Sequence, residues 1–161
     1  MNFKRLGVVA DHAGVEYKEK ILTYLQQSYP QIKLRDFGVN NSQQKVDYPD
    51  FAFEASWNVS QKKLDGAIAI CGTGIGMAIV ANKLPMIQAV CPWDEFSCRM
   101  GREHNNANIL CLGSRTLKFE LVIKILSTWL NTNFAQERHQ FRLNKIRLLE
   151  QKNYTINSGN D

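Results

Sequence analysis

A cysteine at the end of an apolar run is the residue best placed for chemistry in this chain. Residues 66–76 read Gly-Ala-Ile-Ala-Ile-Cys-Gly-Thr-Gly-Ile-Gly, so Cys71 ends a short strand and precedes a loop with glycine at every second position. A thiolate forms near neutral pH only in a positive environment, and an anion made from a substrate requires hydrogen-bond donors aimed at it. The backbone N–H groups of a loop that opens a helix can meet both needs. The segment therefore predicts a reactive thiol beside an anion site.

The glycine loop does not match the common nucleotide-binding motifs. Met77 or Ile79 stands where the dinucleotide fingerprint has its third glycine, and the Gly-Lys-Ser/Thr end of a P-loop is absent. Two plainer interpretations stay open at this point. The loop can be a tight strand-to-helix turn, and Cys71 can be a buried core residue.

Polar residues also follow two other apolar runs. Asp11 and His12 come after Leu6–Ala10, and the tripeptide 113–115 (Gly-Ser-Arg) comes after Asn108–Leu112. Ligands of open α/β sheets bind at the carboxyl ends of the strands. These residues and Cys71 are therefore expected at one edge of a sheet, although Asp11 is equally suited to cap a helix.

Basic residues near the C-terminus suggest a phosphorylated ligand. Arg138 and Arg142 are four residues apart and so share one helix face, with His139 beside them. Paired guanidinium groups suit bidentate phosphate binding. The net charge of +5 also allows a solvated basic face or contact with nucleic acid. No known nucleic-acid motif accompanies the basic residues, so we expect no nucleic-acid partner.

Apolar runs typical of strands alternate with runs of helical spacing. Strands are predicted at Leu6–Ala10, Ile32–Phe37, Ala67–Ile70, Ile87–Val90 and Asn108–Leu112. Helices are predicted at Val15–Gln27, 50–61, Met77–Lys83, 94–103, Leu117–Leu130 and Gln136–Gln151. This alternation predicts a parallel sheet with helices on both faces.

Length and composition bound the class of protein. The 161 residues predict one domain over 1–152, with a disordered tail over 153–161. No apolar stretch approaches the roughly 20 residues that span a bilayer, and the short apolar run near the N-terminus leads us to expect no signal peptide. The cysteines lack disulfide or zinc-finger spacing, and three of them are expected to be small buried thiols: Cys91, Cys98 and Cys111. We therefore expect a cytoplasmic protein with no membrane partner.

Seven motifs, taken in order, resemble the sugar-phosphate isomerases typified by ribose-5-phosphate isomerase B, a family that includes the galactose-6-phosphate isomerase subunits. The motifs are Asp11-His12-Ala-Gly, Asp47-Tyr48-Pro49, Cys71-Gly-Thr-Gly-Ile-Gly, Ala81-Asn82-Lys83, His104-Asn105, Gly113-Ser114-Arg115 and Arg138-His139-x-x-Arg142. The resemblance covers about residues 4–152. It implies a Rossmann-like three-layer α/β/α sandwich and a homodimer, in some members paired into a tetramer. It also implies that the C-terminal helix reaches over a partner subunit's site, and that no metal or organic cofactor takes part.

The reaction that the resemblance implies is the interconversion of ribose 5-phosphate and ribulose 5-phosphate through an enediolate, in the pentose phosphate pathway. Family members use either a cysteine or a glutamate a few residues later as the base. Residues 75–78 contain no carboxylate, so Cys71 is the base implied here. Thr73 would move the proton between oxygens, His104 would open the sugar ring, and Asp11 would polarise a ring hydroxyl.

The resemblance also implies a set of substrate-binding positions. The anion hole would consist of the loop amides with Asn82 nearby, and the phosphate would be held by three arginines and a histidine. In full, the binding positions are His12, Tyr48, Gly72, Gly74, Ile75, Gly76, Asn82, Asn105, Arg115, Arg138 and Arg142. Two alternatives remain: an isomerase of a hexose or tetrose phosphate, such as allose 6-phosphate or galactose 6-phosphate, and a non-catalytic sugar-phosphate sensor. The joint presence of Cys71, Thr73 and His104 favours an enzyme.

Overall fold

Strands and helices alternate through the part of the chain that the computed structural model describes, residues 3–157, with side chains described as far as residue 152. The strands are β1 (Arg5–Ala10), β2 (Lys33–Asp36), β3 (Gly66–Cys71), β4 (Ala89–Val90) and β5 (Ile109–Gly113). The helices are α1 (Val15–Ser28), α2 (Tyr48–Ser60), α3 (Ile75–Ala81), α4 (Glu95–Asn105), α5 (Phe119–Asn131) and α6 (Glu137–Asn157).

All neighbouring strands run parallel, in the order β2-β1-β3-β5-β4. The chain passes from β1 outward to β2 and then returns to the other side of β1 to form β3. The strand order therefore reverses between β1 and β3, and this is where open α/β sheets form a ligand crevice. Register brings the strand ends level, with Ala10 opposite Ile70 and Cys71 opposite Gly113.

The two faces of the sheet pack against different helices because alternate strand residues point in opposite directions. Leu6 and Val8 face α1, α4 and α5, whereas Val9 faces α2 and α3. The second face is built largely from small side chains: Ala52, Ala55, Ala67, Ala69, Cys71 and Ala81. Helices on both faces confirm the predicted Rossmann-like α/β/α sandwich.

Several element boundaries differ from the predicted ones for local reasons. Helix α3 begins at Ile75 rather than Met77 because Gly74, at φ +78°, turns the chain directly into it. Helix α4 continues to Asn105 because the residue that ends it is Asn106, at φ +49°. Strand β4 has only two residues. The N–H of Gln88, directly before it, donates to the Asn108 side chain instead of to a backbone carbonyl of the neighbouring strand.

The C-terminal part of the chain is helical beyond the predicted end at Gln151, since α6 extends to Asn157. The last four residues of the predicted tail, 158–161, lie outside the described residues. Over the described part of the chain, no helix combines the length and the apolarity needed to cross a bilayer.

Candidate active site

The Cys71 sulfur lies at the carboxyl end of β3, close to the start of α3. Its Sγ accepts a hydrogen bond from the Gly74 N–H at 3.1 Å, and the residue is 5% exposed. A backbone N–H aimed at the sulfur stabilises negative charge there. Glycine is required at position 74 because its φ is positive and an added Cβ would lie 2.8 Å from the Cys91 Sγ.

A cavity of about 430 Å³ opens above the sulfur. It is lined by Asp11, Tyr48, Cys71, Gly72, Thr73, Ile75, Gly76 and Ile79. The volume falls in the range of small-molecule sites, about 300–1,000 Å³. Apart from Ile79, each of these residues is one that the sequence predicts for the site. The sequence signal that could have found Ile79 is its spacing of one helical turn from Ile75. In the structure both side chains are more than half exposed.

The walls of the cavity are fixed by local contacts. Asp11 is buried, and its Oδ1 accepts the N–H groups of Ala13 and Gly14 at 2.9 and 3.2 Å. Its carboxylate therefore caps the turn before α1 and lines the cavity at the same time. Opposite, the Tyr48 ring lies against Gly76, where an added Cβ would be 2.6 Å from the ring.

An arginine lies beside the glycine loop. The Arg115 N–H donates to the Gly72 carbonyl at 2.9 Å, and its side chain runs alongside Gly72, 3.4 Å from where a Cβ would be. Thr73 is exposed, and its Oγ1 accepts the Ile75 N–H at 3.3 Å. The structure thus brings a guanidinium group and a hydroxyl close to the Cys71 cavity.

His12 and Asn82 are predicted for the site but do not line this cavity. His12 lines a neighbouring cavity of about 370 Å³ with Asn40, and its Nδ1 accepts the Val46 N–H at 3.4 Å. The Asn82 side-chain amide donates to the Ala89 carbonyl and accepts the Ala89 N–H, each at 2.9 Å. Asn82 therefore ties the end of α3 to β4, a contact that the sequence interpretation did not include.

A second group of predicted residues lies where α4 meets α6. The rings of His104 and His139 stack with centroids 4.1 Å apart and planes 10° apart. His139 is 6% exposed, and the Arg138 Nε donates to its Nε2 at 3.5 Å. Burial lowers the pKa of His139, and the nearby charges of His104, Arg138 and Arg142 lower it further. This cluster combines two imidazoles with two guanidinium groups.

The histidine–arginine cluster does not share the Cys71 cavity within one chain. His104, Arg138 and Arg142 are absent from the described residues that line that cavity. Asn105 lines a different, mostly apolar cavity of about 370 Å³, together with the exposed Trp93. A single chain therefore keeps the histidine–arginine cluster apart from the Cys71 cavity.

A second thiol lies close to the glycine loop. Among the described residues all four cysteines are free, and Cys98 and Cys111 are buried as predicted. Cys91 is only half-buried, and its Sγ donates to the Thr73 carbonyl at 3.6 Å. Burial raises the pKa of Cys91, and the nearby Cys71 raises it further. The only sequence signal for its position was that it follows a strand, as Cys71 does.

Among the described residues, no group of three or more histidine, cysteine, aspartate or glutamate side chains converges in a way that could hold a metal ion.

Comparison with known proteins matches nearly the whole chain. The profile of the Ribose/Galactose Isomerase family matches residues 6–146. Ribose-5-phosphate isomerase B of Escherichia coli is 35% identical over 149 residues, which are 92% of this chain and 98% of that protein.

Solved structures give the same result. Ribose-5-phosphate isomerase B of Clostridium thermocellum superposes with a TM-score of 0.88 at 39% identity, covering 92% of this chain and 98% of that one. The enzyme from Mycoplasma genitalium, solved with bound ribulose-5-phosphate, superposes with a TM-score of 0.86 at 36% identity, covering 91% and 96%. The chain belongs to the ribose/galactose isomerase family.

Proposed function

We propose that this chain interconverts ribose 5-phosphate and ribulose 5-phosphate in the pentose phosphate pathway of the cytoplasm, with no cofactor. The observation that carries the proposal is the Cys71 sulfur, held against the Gly74 N–H under a cavity of about 430 Å³. A relative with 36% identity has been solved with ribulose-5-phosphate bound, which supports a pentose phosphate as the substrate.

Isomerisation requires the removal of a weakly acidic proton next to a carbonyl group. The Cys71 thiolate takes the proton from C2 of the open-chain aldose and returns it to C1. Thr73 moves the hydroxyl proton from O2 to O1, so the product is an isomer and no electron acceptor is needed. The N–H groups of the glycine loop stabilise the enediolate oxygens as charge develops on them.

A ribose phosphate arrives largely as a closed ring, so a second acid–base group must open it first. His104 is that group, because an imidazole exchanges protons near neutral pH. Asp11 polarises a ring hydroxyl and Asn105 binds another. The phosphate is held by His12, Arg115 and the α6 arginines through charge-assisted hydrogen bonds.

We also propose that the site is shared between two copies of the chain in a homodimer. His104, Arg138 and Arg142 lie apart from the Cys71 cavity of their own chain, so a second copy must supply them to it. Exposed apolar side chains on the α4 and α6 side are available for such a contact: Trp93, Phe96, Phe141, Leu148 and Leu149.

The substrate and the base are tested by a coupled assay of the purified protein against pentose and hexose phosphates, with and without a chelator. We expect ribose 5-phosphate to be the best substrate and the chelator to have no effect. Cys71→Ala should abolish turnover while sugar-phosphate binding persists, and Cys98→Ala is the matched control because that thiol lies outside the cavity. Preference for a hexose phosphate would refute the substrate, and binding without turnover by the unaltered protein would indicate a sensor.

The shared site is tested by mixing two inactive variants. Cys71→Ala chains lack the base, and Arg138→Ala/Arg142→Ala chains lack the phosphate grip. A hybrid dimer has one site that carries both defects and one that carries neither, so partial activity should return. Verified heterodimers without any recovered activity would refute the shared site.

A further inference from the structure

Among the described residues, no hydrogen bond orients the His104 ring in the way that is usual for a catalytic histidine. Such a ring is normally held by a hydrogen bond to its second nitrogen. From the residues that the structure describes, neither nitrogen of His104 receives such a bond, and its one recorded ring contact is the stack on His139. Within one chain both nitrogens are therefore left for a substrate, and the contact available to orient the ring is the one on its face.

The His139 ring is well placed to supply that orientation. It is 6% exposed, and its Nδ1 is buried without a hydrogen-bond partner in the described part of the chain. The ring covers the face of His104 at a centroid distance of 4.1 Å, nearly parallel to it. Its Nε2 accepts only the 3.5 Å hydrogen bond from Arg138 Nε, and a buried Nδ1 without a partner is costly, so the position of the ring calls for an explanation beyond hydrogen bonding.

The backbone around His139 is held firmly against α4. Among the α6 side chains that the structure describes, up to residue 152, His139 and Leu143 are the buried ones, one turn apart. The segment leading into α6 is tied to the end of α4, because the Ala135 N–H donates to the Glu103 carbonyl at 3.0 Å. The stacked ring is thus carried by a backbone that is itself anchored beside His104.

We propose that His139 is a positioning residue whose flat, buried ring fixes the plane of His104 for opening of the sugar ring. This inference rests on the proposed function, because it takes His104 as the ring-opening group. His139 acts through His104 and does not touch the sugar.

The charges around His139 suit this role. His104 and Glu103 face it from α4, and Arg138 and Arg142 face it from α6. Burial and the three cationic or imidazole neighbours lower the pKa of His139, against an opposing effect of Glu103. The lowered pKa favours the uncharged form of His139, which disfavours a second cation at stacking distance from the His104 ring.

Two reactions of the same enzyme separate ring opening from enediolate chemistry. Ribose 5-phosphate closes to a five-membered ring through its C4 oxygen. Ribulose 5-phosphate cannot close such a ring, because that closure would use the C5 oxygen, which carries the phosphate. Turnover of ribose 5-phosphate therefore needs ring opening, whereas exchange of the C1 protons of ribulose 5-phosphate with deuterium in the solvent does not.

The test compares His139→Ala and His139→Phe, with Leu143→Ala as a control that loosens α6 without touching His104. We expect His139→Ala to lower kcat for ribose 5-phosphate by up to about 100-fold, the cost of misplacing a reacting group by about 1 Å. Deuterium exchange of ribulose 5-phosphate should stay close to that of the unaltered enzyme. His139→Phe retains a flat ring and should restore most of the turnover.

Several results would overturn the inference. Equal losses in both reactions, or a selective loss in Leu143→Ala, would assign the effect to the docking of α6. A rise in KM for both sugars without a change in kcat would make His139 a phosphate ligand. His104→Ala is measured alongside: unchanged turnover of ribose 5-phosphate by this variant would refute the ring-opening role of His104 and the positioning role with it, while Cys71→Ala still tests the isomerase itself.

Discussion

Replacing Gly74 with alanine should disturb the hydrogen bond between the backbone N–H of residue 74 and the Cys71 Sγ. The residue has φ +78°, and its N–H is the donor to the Cys71 Sγ. An added Cβ would lie 2.8 Å from the Cys91 Sγ and 2.9 Å from the Leu112 carbonyl carbon, which is backbone and cannot swing away. The added methyl group therefore strains the backbone at residue 74 and crowds the Cys91 Sγ at the same time.

The expected losses of stability and of turnover follow from these contacts. A side chain in the left-handed region costs about 1–2 kcal/mol and overpacking costs about 1–3 kcal/mol, so Gly74→Ala should lower the unfolding free energy by about 2–5 kcal/mol. Loss of a hydrogen bond to a charged acceptor costs about 1.5–3 kcal/mol, so turnover should fall about 10- to 100-fold.

Urea unfolding and steady-state turnover of ribose 5-phosphate measure the two effects. Gly76→Ala, two residues further along in α3, is the control, because the atoms nearest to an added Cβ there belong to the Tyr48 ring, which can turn. Alanine is also favoured over glycine inside a helix by about 1 kcal/mol, so this control should keep its stability and change mainly KM. If Gly74→Ala unfolded at the same urea concentration as the unaltered protein and retained its turnover, the reasoning would be wrong.

Three other changes test contacts away from the cavity. Lys18 is 1% exposed and pairs with Asp36 at 2.7 Å, so Asp36→Ala should lower the unfolding free energy by about 3 kcal/mol, measured in urea. Asn82→Ala breaks two hydrogen bonds to β4 and should cost about 2 kcal/mol with KM unchanged; a large rise in KM would instead favour the anion hole. Burial raises the pKa of Asp65, but hydrogen bonds led by that from Arg5 outweigh it and leave the pKa below its ordinary value. The ion pair therefore stabilises the fold above that ordinary value and is lost as the pH falls through the lowered pKa. Asp65→Asn should therefore flatten the acid side of the stability profile, measured by unfolding at a series of pH values.

The strands and the cavity could be predicted because their signals are local. β1 and β3 are short apolar runs. Asp11 directly follows β1 and Cys71 ends β3, so both residues lie at the edge of the sheet where ligands bind. The glycine pattern after Cys71 likewise predicted a turn into a helix. Helix ends were less accurate, since the left-handed residue that ends α4 is an asparagine rather than a glycine.

Contacts between distant elements could not be predicted from the same patterns. Nothing in the spacing of α4 and α6 indicates that His104 and His139 stack, because the two residues are joined only by tertiary packing. Cys91 was expected in the core for its residue type, yet it lies half-buried against the glycine loop. The double hydrogen bond of Asn82 to β4 is a tertiary contact of the same kind.

The alanine-rich layer beneath α3 has a consequence for how such enzymes diversify. Since four alanines of this packing offer only a methyl group each (Ala52, Ala55, Ala67 and Ala69), a larger residue at one of them would press on α3 and, with it, displace Ile75 and Ile79 at the cavity wall. The width of the cavity therefore depends on buried positions beneath α3 that do not contact the sugar. Selection for longer or shorter sugars could act on this hidden layer while every reacting group stays in place.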